Sequence, residues 1–281
     1  MVRAKTKRYA AVILAGDRGH YDPVANAAGV SHKCLVPVNG TPMVLRVLEA
    51  LKAAREIDDR ILCGPPQAAI NQNPDLKAQI TSGKVRWMES SQTPSASAHR
   101  ALESLPEESP VLVTTADHAL LSAQMVDHFC VEARLKHCDV VVGLAPLERV
   151  LETFPDAKRT ASRFQDGSYC SCNLFAFLSP RARAAADFWR KVEHQRKKPI
   201  RLVSILGWSV VLRYLLRRLS LTDALAQISG RLQLRAGAVF LPFPEAAIDV
   251  DKVEDWELVQ KHLAARKASR PLGTGHSAHH G

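Results

Sequence analysis

The chain is 281 residues long, 46% hydrophobic and 23% charged, with a formal net charge of +10. That composition excludes collagen-like and charge-rich disordered classes, and the length suits one large α/β domain or two small ones with a substantial core. Six cysteines (Cys34, Cys63, Cys130, Cys138, Cys170, Cys172) are scattered without a Cys-x-x-Cys pair, so they read as reduced thiols of a cytoplasmic protein.

The basic start through Arg8 leads into Ala10-Ala11-Val12-Ile13-Leu14-Ala15, which breaks at Gly16-Asp17-Arg18. An apolar run this short reads as a strand over 9–15 and not as a signal peptide. The loop 16–41 is too long for a plain connector and is expected to close over a ligand. Helix 42–54, strand 59–63, helix 74–81, strand 85–89, helix 95–104, strand 111–116, helix 122–136 and strand 139–145 then alternate. The helical segments show 3.6-residue spacing, as in Val44, Val47, Leu48 and Leu51. Residues 147–172 read as irregular. Strand 173–178, helices 180–196, 200–218 and 221–229, strands near 233–241 and 245–249, and a helix over 252–266 follow. Short strands alternating with helices imply crossover units. The expectation is an open, three-layer α/β fold with a mostly parallel sheet, forming one domain over 1–268. A helical basic insert is expected at about 180–230, and a disordered tail at 269–281.

Several positions carry chemistry. Glycines at 16 and 19 would let the backbone approach a phosphate, and Arg18 and Lys33 offer charge to neutralise a triphosphate. Taken alone, the glycines could equally punctuate a strand-to-loop turn. Asp117 falls at the carboxyl end of strand 111–116, where open α/β sheets bind ligands, and a carboxylate there suits Mg²⁺ with phosphate oxygens as well as a helix cap. In an extended segment Asp249 and Asp251 would point to one face and could address one cation; a turn with an N-cap is the alternative. Ser95 or Ser97 could cap the helix they open. Lys158, Arg159 and Arg163 are either solvated charges or a grip on a phosphate.

Leu14-Ala15-Gly16 followed by Lys33-x-Leu35-x-Pro37-Val38-x-Gly40-x-Pro42-Met43 resembles the amino-terminal motif of nucleoside-triphosphate transferases, most closely the MobA-like domain. The likeness runs through later motifs to about residue 265. It implies a Rossmann-like, nucleotide-diphospho-sugar-transferase fold and transfer of a nucleoside monophosphate to a phosphorylated acceptor, with pyrophosphate released. It assigns nucleotide contacts to Leu14, Ala15, Gly16, Asp17, Arg18 and Lys33, and places Ser95 and Ser97 near the base. Mg²⁺ falls to Asp117 and Asp251, with Asp249 as an outer or alternative ligand, and the acceptor to Asn173, Lys158 and Arg159. Lys33, Arg18 and Asp117 become the catalytic set: Lys33 at the α-phosphate, Arg18 on the departing pyrophosphate. The chain departs from the family at Asp17, where a second glycine is usual, and at His20-Tyr21, where an arginine is usual. Either Asp17 turns away from the triphosphate or the loop takes another path with Arg18 supplying the charge; the second is preferred.

Residues 181–218 hold eleven Lys or Arg against Asp187 and Glu193, a net of +9 (11 minus 2). Within them, 197–219 is basic and apolar, too short and too charged to span a bilayer. It could lie on an anionic membrane, cover the sheet, form a homodimer or shape the acceptor pocket. Membrane contact would suggest a lipid-precursor acceptor. The partners expected are an NTP and a phosphorylated acceptor, not nucleic acid. Rival readings are a glycosyltransferase using a nucleotide-sugar donor, suggested by Asp249-Val250-Asp251, and an inactive nucleotide-binding regulator, suggested by Asp17.

Overall fold

The structure is a computed structural model and describes residues 7–17, 21–193 and 208–268. Arg18, Gly19 and His20, residues 194–207 of the basic segment, and the tail after 268 lie outside the described residues.

Strand β1 (Tyr9–Leu14) is buried along its whole length because its faces meet different helical layers. Tyr9, Ala11 and Ile13 join one apolar cluster, while Ala10, Val12 and Leu14 join a second on the opposite side. That is the period-two alternation of a strand covered on both faces. The following loop holds a short helix, α1 (Pro23–Ala27), capped by Asp22, whose carboxylate accepts from the amides of Val24 and Ala25 at 2.9 Å each. A 3-10 turn over Lys33–Leu35 follows, then a small hairpin of β2 (Pro37–Val38) and β3 (Thr41–Pro42). Its turn residues Asn39 and Gly40 have φ of +47° and +80°, the left-handed pair that closes tight hairpins.

Helix α2 (Met43–Ala53), strand β4 (Ile57–Cys63), helices α3 (Gln67–Asn71) and α4 (Pro74–Thr81), and strand β5 (Arg86–Met88) come next. Helix α5 (Pro94–Glu103), strand β6 (Val111–Thr115), helix α6 (Ala123–Leu135) and strand β7 (Val140–Pro146) complete the alternation. The stretch expected to be irregular after Pro146 instead forms helix α7 (Leu147–Thr153) and strand β8 (Ser162–Phe164), and strand β9 runs from Gly167 to Phe177 rather than starting at 173. In β9 the alternating buried residues are Cys170, Cys172, Leu174 and Ala176, followed by Phe177, with no β-branched residue among them. Helices α8 (Arg183–Glu193), α9 (Trp208–Leu215) and α10 (Leu221–Leu232), strand β10 (Ala236–Phe240) and helix α11 (Val253–Ala268) follow. The strand expected at 245–249 is not formed: Pro244–Ala247 is a 3-10 turn.

The main sheet runs β10-β7-β9-β6-β1-β4-β5, with β8 pairing on β9. β4, β1 and β6 are mutually parallel with β5, and β10 is parallel to β7, whereas β9 is inserted antiparallel between β6 and β7. Helices α5 and α8 supply the smaller apolar layer through Ala98, Ala101, Leu102 and Ala186; α2, α6 and α11 supply the larger one. The chain is thus a three-layer, mostly parallel α/β fold. The carboxyl ends of β1, β4, β5 and β6 lie side by side: Ala15 donates to Cys63 O, Gly64 to Met88 O and Ala116 to Leu14 O, at 2.8, 2.8 and 2.9 Å.

Candidate functional site

At that edge the backbone is packed too tightly for side chains. A Cβ on Gly16 would come within 2.8 Å of Ser90 Cβ, and Gly64, at φ +82°, would place one 3.1 Å from the Ala15 carbonyl and the Gly16 nitrogen. Both positions therefore require glycine, and Gly16 keeps its outer side exposed beside buried Leu14 and Ala15. Gly64 and Ser90 escaped the sequence reading; the Gly64-Pro65-Pro66 run after a strand was the available signal.

The turn at Lys33–Leu35 buries Cys34 and Leu35 and leaves the Lys33 side chain directed across the strand ends. Its Nζ donates to Asp117 Oδ2 at 2.7 Å and to Asp251 Oδ1 at 2.8 Å. Three residues far apart in sequence thus meet at one point. The meeting is enforced by the backbone, because Val250 N donates to Asp117 O at 3.1 Å and brings the carboxy-terminal segment against the end of β6. Helix α11 fixes the same segment from the other side. The Asp255 carboxylate accepts from the amides of Asp251 and Lys252 at 3.1 and 3.0 Å, and Trp256 Nε1 donates to Pro37 O at 2.7 Å. Burial opposes charge on Lys33, but Asp117 and Asp251 outweigh it and lift its pKa above the ordinary lysine value. Burial likewise pushes the Asp117 carboxyl up, and the Lys33 ammonium overrides it, holding the carboxyl below the usual range. His118, next in sequence, is buried and neutral, with its pKa drawn down to about 4 mainly by burial.

Asp17 turns back toward Lys33: its Oδ2 accepts from the Lys33 amide at 3.4 Å. Burial raises its pKa against the pull of His32 and of that amide. The Asp17 carboxylate thus has a partner within the turn, while Arg18, on which the preferred path of the loop depends, lies outside the described residues.

Asp249 has partners of its own, distinct from the Lys33 partner of Asp251. It is clasped by the Arg159 guanidinium through Nη2, its backbone oxygen accepts from Arg159 Nη1 at 3.2 Å, and Asn173 Nδ2 donates to its Oδ2 at 2.8 Å. Arg159 Nη1 also lies 3.7 Å from Asp255 Oδ1. Asn173 reaches Asp249 because it sits at φ +50° where the β7–β9 register slips, a bulge that re-aims a side chain at low cost for asparagine. Burial raises the pKa of Asp249; Arg159 opposes the rise, and Asp117 and Asp251 add to it. The strand expected at 245–249 is absent, but Asp249 stays close enough to Asp117 and Asp251 for their charges to act on it. Lys158 is exposed and points to no partner in this cluster, and Arg163 is exposed on β8.

Ser95 and Ser97 lie at the amino end of α5 but neither caps it. Thr93 does, accepting from Ala96 N at 3.2 Å with Pro94 as the first helical residue. Both serines are buried, and Ser97 Oγ accepts from Ser91 N at 2.8 Å, which fixes the segment that faces Gly16.

The residues present fit Mg²⁺. Asp117 Oδ1 is buried with no hydrogen-bond partner, and a cationic group already sits between the Asp117 and Asp251 carboxylates. Among the described residues no three His, Cys, Asp or Glu side chains converge as a protein-only metal cage. Two carboxylates without a cage are the donor set of an ion that takes its other ligands from phosphate and water.

The chain is similar to known proteins in sequence and in fold. The model of the MobA-like NTP transferase domain matches residues 11–236. A solved structure described as a hypothetical transferase from Thermus thermophilus is 32% identical, with a TM-score of 0.73 over 89% of this chain and 99% of that one. The 4-diphosphocytidyl-2C-methyl-D-erythritol synthase of Anaerococcus prevotii shares the fold at 16% identity, with a TM-score of 0.53 over 92% of this chain and 96% of that one. A 2-C-methyl-D-erythritol 4-phosphate cytidylyltransferase of Frankia casuarinae is 26% identical over 161 residues, 57% of each chain, so the match spans little more than half of that relative. The family match takes in most of the chain, and the chain belongs to the MobA-like NTP transferase family.

Proposed function

We propose that the protein transfers a nucleoside monophosphate from an NTP to a phosphorylated small-molecule acceptor and releases pyrophosphate, with Mg²⁺ held by Asp117 and Asp251. The observation that carries this reading is the convergence of Lys33, Asp117 and Asp251 at the carboxyl ends of the parallel strands. Mg²⁺, when bound, neutralises phosphate charge and so favours displacement at the α-phosphorus. The chain's own residues do the rest. The exposed side of Gly16 lets the triphosphate lie against backbone, and Lys33 moves its ammonium from carboxylate to phosphate oxygens as negative charge builds there. An acceptor phosphate oxygen attacks the α-phosphorus, the α-phosphorus to bridging-oxygen bond breaks, and pyrophosphate leaves with the electron pair. The acceptor phosphate is largely ionised near neutral pH, its second pKa being about 6, so no general base is needed. Positioning and charge neutralisation then supply the acceleration.

Arg159 and Asn173 are read here as positioning residues that act through Asp249, not as acceptor ligands, because both are engaged with its carboxylate. Asp249 is accordingly read as an anchor for the 249–251 segment rather than a metal ligand. The turn of Asp17 toward the Lys33 amide supports an active enzyme over an inactive regulator, since its carboxylate has a partner other than a triphosphate. The test is pyrophosphate release from each of the four ribonucleoside triphosphates with Mg²⁺ and a panel of sugar, alcohol and cofactor phosphates. Release that depends on both NTP and acceptor is expected. Silence across the panel, with nucleotide binding retained, would overturn the catalytic reading.

A further inference from the structure

Nine large hydrophobic side chains are exposed among the described residues, and four of them fall in nine consecutive positions: Trp208, Leu212, Leu215 and Leu216, exposed by 72, 54, 69 and 56%. Three belong to α9 and the fourth directly follows it. At 100° per residue all four project to one side of the helix axis. The opposite side already has its partners. Val210 is buried, the Tyr214 ring packs edge-on against Phe164 at 5.6 Å, and Arg213 pairs with Asp223. Packing of α9 onto the β8–β9 hairpin therefore leaves a complete apolar stripe facing outward, and the chain ends that stripe with exposed Arg217 and Arg218.

We infer that this stripe is a docking face for an anionic lipid bilayer. Trp and Leu on one side of a helix, bordered by arginines, match a surface that is apolar below its headgroups and negative at them. With Arg213 paired to Asp223, Arg217 and Arg218 are the exposed charges that directly follow the stripe. A second copy of the chain would cover the apolar side chains but, carrying a net charge of +10 itself, offers the arginines no net opposite charge. Nucleic acid would meet the arginines and leave the Trp and Leu side chains in water. Contact is peripheral, since no helix among the described residues is long and apolar enough to cross a membrane.

The test is flotation of the full chain with vesicles of phosphatidylcholine containing a quarter phosphatidylglycerol, against pure phosphatidylcholine, without nucleotide. It is therefore independent of the proposed reaction. Recovery with the anionic vesicles is expected to exceed that with neutral ones at least fivefold and to fall as salt is raised. Leu212→Ser with Leu215→Ser should lower it at least fivefold, and so should Arg217→Glu with Arg218→Glu. Both pairs are exposed, so melting temperature and circular dichroism should not move. Three results overturn the inference: no flotation, equal flotation on neutral vesicles, or flotation undiminished by the leucine pair. A concentration-dependent dimer abolished by that pair, in place of flotation, would assign the face to a second copy.

Discussion

Lys33 and Arg159 each lie between two carboxylates at the same edge of the sheet, yet the two arrangements are built for different ends. The lysine touches Asp117 and Asp251 with a compact ammonium, and the Asp251 side chain is 62% exposed. The arginine pairs with Asp249 and approaches Asp255 with a planar fork, and all three side chains are at most 16% exposed. A point charge on a flexible stem, with one partner open to water, can trade carboxylate for phosphate with little rearrangement. A fork set between two carboxylates and a backbone oxygen, with one carboxylate also held by the bulge asparagine, is not free to exchange partners. The first cluster is suited to exchange, the second to holding Asp249 so that Asp251, two residues on, meets Lys33.

The contrast breaks first at the exchangeable cluster. Asp117→Asn is expected to lower the rate of pyrophosphate release by about 10³-fold, because it removes charge where phosphates and cation must meet, while circular dichroism stays unchanged. Retained turnover would remove Asp117 from the mechanism. The clasp should answer in stability instead. Arg159→Ala leaves the Asp249 carboxylate buried without its cation and is expected to cost about 3 kcal/mol in urea unfolding. Arg159→Lys should restore part of that and much of the turnover. If Arg159→Ala left stability unchanged but raised KM for the acceptor alone, Arg159 would be an acceptor ligand.

The two clusters also differ in how far they could be read from sequence. Lys33 and Asp117 were legible because each has a local marker: a Pro- and Gly-punctuated motif after the first strand, and the end of a β-rich run. Strand β1 and the alternation from α2 to β7, apart from the short α3, were legible for the same reason, whereas α1 and the β2–β3 hairpin inside the long loop were not. The Arg159–Asp249 pairing was not, since its partners lie 90 residues apart and nothing in either neighbourhood announces the other. The hold on Asp249 was hidden for a related cause. Pro244-Glu245-Ala246-Ala247 has the apolar look of a strand but turns as a 3-10 helix, and the Val250 amide is then engaged by Asp117 O. At α5 the sequence did hold the answer, because Thr93-Pro94 is a cap followed by a first-turn proline.

Asn173 sharpens the comparison at smaller scale. Its φ of +50° is tolerated by asparagine and glycine, so Asn173→Gly removes the amide bond to Asp249 while keeping the bulge. A loss of about 1 kcal/mol is expected, and Asn173→Ala should lose roughly 1 kcal/mol more through backbone strain. Equal losses for the two would mean that the bulge does not depend on the left-handed conformation.

The smallest effect concerns pH and tests whether Lys33 is what holds Asp117. In the folded chain the ammonium overrides burial and keeps the Asp117 carboxyl below its usual range. In the unfolded chain it titrates near ~3.9. The folded value being the lower, the carboxylate's contribution to stability is complete above about pH 4 and disappears as pH falls through the folded value. The stability gap between the wild type and Asp117→Asn, followed by thermal melts, should therefore narrow on acidification below about pH 4. Lys33→Met should abolish or reverse that slope, since it removes the cause and leaves burial unopposed, whereas Arg159→Lys should leave it in place. A gap that widened in acid, or a slope indifferent to Lys33→Met, would show that the ammonium is not the partner of Asp117 in solution, and the case for its exchange onto phosphate would fail with it.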